Sequence, residues 1–204
     1  MKEYYYDKLL HIKTGQDKKL VYADSFHYNP YEPTPYSALE ALSQHYEFTE
    51  DDRVIDFGSG KGRLPFYIHH FHQSSVIGVE MDETIFGRAL GNLKNYDRYT
   101  EEKTHTIEFI CCLAEEYIID PKDNCFYFFN PFSLEIFMKV VGNILRSIEK
   151  VERSVDLILY YPNGNYIYHL ENNTLFELVK EIKLEDYERN PDERMLFYRL
   201  NGSF

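Results

Sequence analysis

The chain has 204 residues, a length typical of one domain with a substantial core. Hydrophobic residues make up 44% of it and aromatic residues 17%, a composition that favours a folded protein over a disordered one. The net charge of −12 at pH 7 argues against duplex nucleic acid and anionic membranes as partners, because both are bound through Lys and Arg.

Other features of the sequence bear on the cellular compartment of the protein and on whether it binds a metal ion. No apolar run of about 18 residues occurs and the first residues are polar, so we expect neither a membrane span nor a signal peptide. Cys111, Cys112 and Cys125 lack C-x-x-C spacing and are typical of reduced thiols. The eight histidines show no metal-ligand spacing. These features predict a cytoplasmic protein with no metal site.

The first part of the chain differs in composition from the rest. Residues 1–24 mix charge and tyrosine with a weak apolar helical face, which predicts an extension packed over a domain. Residues 26–36 contain three prolines among aromatic residues, a composition typical of a stiff, extended loop. A helix capped by Ser37 is expected next. We therefore divide the chain into residues 1–33, an N-terminal extension and candidate lid, and residues 34–204, the main domain.

Residues 54–63, VIDFGSGKGR, change from a buried strand to a glycine loop to a helix start. The spacing does not fit a dinucleotide-binding G-x-G-x-x-G loop, because Arg63 stands at the third glycine position. It does not fit a P-loop either, since Ile55 replaces the first glycine and Gly62 replaces the magnesium-binding Ser or Thr. The pattern that remains is D-x-G-x-G-x-G.

A second strand is predicted over residues 75–82, SVIGVEMD, and it ends in acidic residues. Glu80 lies 24 residues beyond Asp56. An acid near that distance, at the carboxyl end of the second strand, accepts ribose hydroxyls in nucleotide-binding α/β folds. A helix to about residue 96, capped by Asp82 or Thr84, and a third strand over residues 106–112 are expected to follow.

The fourth predicted strand, residues 125–129, ends in the turn Asn130-Pro131-Phe132-Ser133. Asn and Pro favour turns in general, but ligands of open α/β sheets bind outside the carboxyl ends of such strands. Further along, the pattern predicts a helix over residues 134–148, a strand over 155–161, a loop at 162–165 that could shape a pocket, a helix over 175–182, and strands over 183–188 and 195–200.

The D-x-G-x-G-x-G loop, the V-E-M-D strand end and the N-P-F turn resemble motifs of the class I S-adenosylmethionine (SAM)-dependent methyltransferases. The resemblance implies an α/β, Rossmann-like three-layer sandwich whose seven-stranded twisted sheet is mostly parallel, with an antiparallel terminal strand. It implies SAM as the cofactor. The implied cofactor-binding residues are Tyr36, Asp56, Phe57, Gly58, Ser59, Gly60, Gly62, Glu80, Met81, Cys112, Leu113, Ala114 and Asn130. The family usually has an acidic residue at the position of Leu113, so the resemblance implies only an apolar wall contact for Leu113.

The N-P-F turn resembles, with one proline fewer, the motif of methyltransferases that act on amine or amide nitrogen. The resemblance implies that Asn130, Pro131 and Phe132 hold the acceptor nitrogen through the side chain, a backbone carbonyl and the ring. A small molecule or a protein suits the acidic charge best as acceptor, although a free nucleotide or a structured RNA stays open. Three other readings also remain: an aminopropyl transferase, a non-catalytic SAM sensor or scaffold, and a different Rossmann-like nucleotide binder.

Overall fold

The computed structural model describes residues 2–16, 27–99 and 106–202. These residues form a seven-stranded sheet with the strand order β3-β2-β1-β4-β5-β7-β6. Within them, β7 alone runs in the direction opposite to the other six strands. The strands are β1 Arg53–Phe57, β2 Ser75–Glu80, β3 Ile107–Cys111, β4 Cys125–Phe129, β5 Val155–Tyr160, β6 Glu177–Lys183 and β7 Arg194–Leu200. The predicted sheet, with its antiparallel terminal strand, is therefore confirmed.

Helices pack on both faces of the sheet. They are α1 Lys2–Leu9, α2 Tyr36–His45, α3 Arg63–His72, α4 Glu83–Asp97, α5 Leu134–Lys150 and α6 Gly164–Asn173, with a short 3₁₀ turn at Ala114–Glu116. Asp82 caps α4 as predicted, since its carboxylate accepts from the backbone N–H groups of Thr84 and Ile85. No helix in the described ranges is long and apolar enough to cross a membrane.

Two apolar cores, one on each face, hold the layers together. The buried side of α5 packs with α6 on one face, around Phe126 and Phe128 of β4. Helices α2 and α3 pack on the other face, around Val54 of β1. Because consecutive side chains of a strand point to opposite faces, the apolar run of β4 serves both cores.

The region after α6 differs from the prediction. Residues 175–182 were expected to form a helix and residues 183–188 a strand, but the first region forms strand β6 and the second forms turns. The apolar spacing of residues 175–182 fits a helix, whereas pairing with β7 decides the outcome. A register shift in β6 between Leu178 and Lys180 breaks the alternation that would have identified a strand.

The described parts of the N-terminal extension lie against the main domain. Helix α1 contacts α2, and Leu10 and Ile12 are buried in the same core as α2 and α3. Tyr28 forms an isolated antiparallel bridge with Phe132, just beyond β4. Residues 17–26, which include the start of the predicted aromatic loop, lie outside the described residues. The extension thus reaches the carboxyl edge of the sheet.

Candidate cofactor and acceptor site

A cavity of about 660 Å³ lies over the carboxyl ends of β1, β2, β4 and β5. Its floor and walls include the glycine loop after β1, the end of β2, and the turns after β4 and β5. Residues 28–32 also line it. The parallel strands bring these segments to one edge of the sheet, which is where ligands of open α/β sheets bind.

The glycine loop folds tightly over the end of β2. The N–H groups of Gly58 and Ser59 both donate to the Val79 carbonyl, at 2.9 and 3.0 Å. Gly58 has φ +78°, and a Cβ atom there would lie 2.8 Å from the Pro131 side chain. The glycine loop and the N-P-F turn are therefore in direct contact, and Gly58 is needed both for its backbone angle and for that approach.

Glu80 lines the cavity, and each of its carboxylate oxygens accepts a hydrogen bond from a backbone N–H group. Oε2 accepts from the Gly60 N–H at 3.0 Å, and Oε1 accepts from the Asp82 N–H at 2.8 Å. Burial raises the pKa of Glu80, while these two N–H donors oppose the rise. Each carboxylate oxygen keeps a second acceptor site. Glu80 is thus oriented to accept two further hydrogen bonds from a vicinal diol.

Asp56 lies on β1, and its side chain is only 5% exposed. Burial, and secondly the charge of Glu80, raise its pKa to about 8. In the described part of the chain, its carboxylate shows no hydrogen bond to offset that burial. Asp56 is therefore mainly protonated at neutral pH, and a nearby cation would favour its ionised form.

The Asn130-Pro131 turn combines an unusual backbone with an unpaired polar atom. Asn130 has φ +38°, in the left-handed region. Its main-chain carbonyl accepts from Asn29 Nδ2 at 2.6 Å, and the Pro131 carbonyl accepts from the Asn29 N–H at 3.0 Å. By contrast, Asn130 Oδ1 is buried without a hydrogen-bond partner among the described residues. The side-chain oxygen is therefore the polar atom of this turn that lacks a partner among the described residues, and Asn130 itself lines the cavity.

The structure brings together about half of the predicted site residues. Those that line the cavity are Gly58, Glu80, Met81, Cys112, Ala114, Asn130, Pro131 and Phe132. They lie at the ends of the first four strands, as the motif spacing predicted. Met81, Cys112 and Ala114 form a largely apolar wall beside Glu80.

The other predicted residues lie outside the cavity lining, and they include Asp56, which is buried on β1. Phe57 is buried in the core, and Leu113 is 37% exposed. The ring of Tyr36 stacks on Tyr6 at 4.6 Å, and its hydroxyl donates to Asp7. Tyr36 therefore packs between α1 and α2, because it opens α2 with its side chain turned toward α1.

Two of the three predicted glycines act through packing. Tyr31 lies directly on Gly60, so any Cβ atom there would occupy the place of the ring. Gly62 begins α3 with φ +89° and is packed against Phe66 and Phe109. Ser59 Oγ likewise faces inward, 2.7 Å from where a Cβ of Gly78 would stand. These residues shape the loop rather than line the cavity.

Several cavity residues were not predicted as site residues. Tyr160 and Tyr161 line the cavity beyond β5, where loop 162–165 had been expected to do so. Glu193 reaches it from the turn before β7, in a hairpin whose second strand was predicted at residues 195–200 and whose first strand, β6, precedes the predicted residues 183–188. In the described ranges, no three His, Cys, Asp or Glu side chains lie close enough together to hold a metal ion.

Comparison with known proteins supports the fold through structure rather than sequence. No protein-family model and no curated protein sequence matches the chain. Among solved structures, an RNA methyltransferase from Salinibacter ruber in complex with S-adenosylhomocysteine (SAH) is 18% identical with a TM-score of 0.58, covering 84% of this chain and 94% of its own. A human methyltransferase 10 domain containing protein is 13% identical with a TM-score of 0.60, covering 98% of this chain and 94% of its own.

A third similar structure is a SAM-dependent methyltransferase from Thiobacillus denitrificans, also in complex with SAH. It is 15% identical with a TM-score of 0.52, and the match covers 84% of this chain and 92% of its own. The chain has the class I methyltransferase fold.

The residues at this edge of the methyltransferase fold suit SAM. Glu80 offers two oriented oxygens for ribose hydroxyls, and Met81, Cys112 and Ala114 offer an apolar wall for a flat base. Gly58 leaves the loop open to the cavity because it carries no side chain. Asp56 supplies a buried acid next to Glu80 on the neighbouring strand, which suits a ligand that carries positive charge.

Proposed function

We propose that this chain is a SAM-dependent methyltransferase that transfers a methyl group to an amine or amide nitrogen held at the Asn130-Pro131-Phe132 turn. The observation that carries the proposal is that Asn130 lines the same cavity as Glu80 while its buried Oδ1 has no hydrogen-bond partner among the described residues. A buried hydrogen-bond acceptor that has no donor lowers the stability of a folded protein, and an N–H group of a bound substrate would supply the missing donor.

The cofactor would supply a methyl group activated by its bond to a positively charged sulfur. Glu80 would bind the ribose hydroxyls through the free lone pairs of its carboxylate. Met81, Cys112 and Ala114 would contact the adenine, and the glycine loop at Gly58 would lie along the remaining part of the molecule. The contact between Gly58 and Pro131 places that loop beside the acceptor turn.

Asn130 would act by orientation. Its Oδ1 would accept one N–H of the acceptor and so orient the nitrogen lone pair toward the methyl group of a bound cofactor, and such positioning can supply much of a rate enhancement. The leaving thioether needs no proton, so a neutral nitrogen requires little general-base assistance. Asn29 supports this geometry because it holds the two main-chain carbonyls of the turn.

Calorimetric titration with SAM and SAH tests the cofactor assignment. We expect wild-type protein to bind both ligands in preference to NAD and ATP, and Glu80→Ala to weaken binding at least about 100-fold, because two hydrogen bonds to a charged group are lost. Glu177→Gln is the matched control, since Glu177 is exposed and begins β6 at the opposite edge of the sheet. Wild-type protein that binds neither SAM nor SAH would overturn the proposal.

Two substitutions at position 130 test the acceptor turn. Asn130→Gly keeps a residue suited to φ +38° while it removes the amide, and Asn130→Asp keeps an acceptor oxygen. We expect both variants to bind SAH like wild type. Transfer should fall about 100-fold or more in Asn130→Gly, by analogy with the loss of one positioned catalytic hydrogen bond, and less in Asn130→Asp. Equal transfer by Asn130→Gly and wild type would show that Oδ1 does not orient the acceptor.

A further inference from the structure

The cavity wall at the end of β5 carries aromatic and acidic side chains that have no role in the proposed methyl transfer. We call it the aromatic–acidic wall and define it as Phe129, Tyr160, Tyr161 and Glu193. All four residues line the cavity. They come from the end of β4, the end of β5 and the turn before β7, so the wall exists only in the folded sheet.

The three rings of this wall stand at steep angles to one another. The centroids of Phe129 and Tyr160 are 4.4 Å apart with planes tilted by 40°. Tyr161 stands edge-on to both, 6.4 Å from Phe129 and 6.3 Å from Tyr160. All three rings belong to residues that line the cavity, and aromatic faces attract cations.

Two hydrogen bonds hold the polar groups of the aromatic–acidic wall in place. Tyr160 donates its hydroxyl to Glu193 at 3.0 Å, which orients the carboxylate beside the rings. Asn190 Nδ2 donates to the Tyr161 hydroxyl at 2.8 Å. Tyr161 also has φ +52°, a backbone conformation that is unfavourable for a bulky residue and that recurs at binding sites. The wall is thus held in place by its surroundings.

The charges around the cavity have one sign. Its charged lining residues within the described ranges are Glu32, Glu80, Asp82 and Glu193, with no Lys or Arg among them. Glu80 and Asp82 belong to the cofactor side at the end of β2. Glu32 and Glu193 belong to the other side, where the charges of both help to raise the pKa of Tyr160, after burial as the main cause. A phosphate-bearing acceptor would meet repulsion there, and a cation would meet attraction.

The position of the wall separates it from the cofactor. Strands β2 and β5 are three positions apart in the sheet, roughly 14 Å at the usual strand spacing. Asn130, at the end of β4, lies between them and next to β5. An acceptor whose nitrogen reaches Asn130 therefore extends toward the aromatic–acidic wall.

We propose that the methyl acceptor is an organic cation whose ammonium or guanidinium group binds the aromatic–acidic wall, between Glu193 and the rings of Phe129 and Tyr161. This inference rests on the proposed function, because it gives the chemical class of the rest of the acceptor molecule, beyond the nitrogen that is methylated. The nitrogen to be methylated would lie at Asn130 as a neutral amine, its proton having passed to solvent. The N–C bond would form as the C–S bond of the cofactor breaks, the thioether would leave uncharged and the positive charge would pass to the methylated nitrogen, whereas the separate cationic group serves recognition. The chemistry is shared by small polyamines and by the basic side chains of a polypeptide.

The experiment measures binding and methyl transfer in the SAH- or SAM-loaded protein. Spermidine and agmatine serve as small cations, a peptide rich in lysine and arginine serves as the polypeptide source, and transfer RNA serves as the anionic competitor. Glu193→Gln removes the charge while it keeps the shape. Tyr161→Asn removes the ring and keeps a residue that tolerates positive φ. Glu177→Gln is the control for the loss of one surface carboxylate.

We expect at least one cation source to bind, and Glu193→Gln and Tyr161→Asn each to weaken that binding about tenfold while SAH affinity stays within about twofold of wild type. Methylation of the small amines alone or of the peptide alone then identifies the source. Wild type that binds SAH but neither cation source would overturn this inference, as would methylation of transfer RNA with no effect of Glu193→Gln. Absence of SAH binding would instead overturn the proposed function.

Discussion

Asp56→Asn isolates the titration of the buried acid on β1. The substitution keeps the shape of the side chain and removes its ionisation. Asp56 has a pKa of about 8 in the folded protein, against about 3.9 in an unfolded chain. The folded state therefore binds the proton more tightly than the unfolded state does. The stability that this proton confers is complete below about pH 4 and is lost as the pH rises to about 8.

The size of the effect follows from these two values. Between pH 6 and pH 8 the unfolded carboxyl is already ionised, whereas the folded one is still losing its proton. The free energy of unfolding of wild type should then fall by about 2 kcal/mol across this interval from Asp56 alone. For a protein of 204 residues, that corresponds to about 4–8 °C in melting temperature.

The assay is urea unfolding of cofactor-free protein at pH 6 and pH 8. We expect the stability of Asp56→Asn relative to wild type to rise by about 2 kcal/mol between the two pH values. Asp51→Asn is the matched control, because Asp51 is exposed, and it should follow wild type. If Asp56→Asn shows the same pH dependence as wild type, burial does not hold a proton on Asp56 and the reasoning fails.

Three further outcomes are expected. At pH 7, SAM binding should release up to about one proton, because the cation favours ionised Asp56; titration in buffers of different ionisation enthalpy measures this release, which Asp56→Asn should abolish. Gly60→Ala should displace the Tyr31 ring and weaken SAH binding about tenfold or more, as calorimetry would reveal, since a side chain also strains φ +58°. Arg63→Met should lower the free energy of unfolding by about 2 kcal/mol, measured in urea, because the buried guanidinium donates to Thr14 and Thr34.

The cofactor side was predictable because its signals are local. The glycine spacing pointed to Gly58 and the distance from Asp56 pointed to Glu80 at the end of the second strand, and both residues line the cavity. Each signal needs only one strand and the turn that follows it. The same local reading could not show that Ser59 faces Gly78 or that Tyr31 covers Gly60, since both contacts depend on side chains that arrive from distant parts of the chain.

The acceptor side depends on tertiary structure to a greater extent. Glu193 enters the cavity only because β7 pairs with β5 in an antiparallel sense, which brings the start of β7 to the carboxyl end of β5. The terminal hairpin was predicted, but the helical spacing of residues 175–182 led to its first strand being predicted at residues 183–188 instead of at β6. The start of α6 did have a local sequence signal, because Asn is a favourable N-cap residue and Asn163 accepts from the Asn165 N–H in the structure. That signal predicts a helix from residue 164 and therefore a shorter loop after β5.

A crystal structure of the protein grown with SAH tests the central claim most directly. We predict that the ribose hydroxyls lie within hydrogen-bonding distance of both Glu80 carboxylate oxygens, with the sulfur facing the Asn130 turn. SAH bound away from Glu80, for example in the second cavity beside α1 that His11 and Tyr99 line, would contradict it.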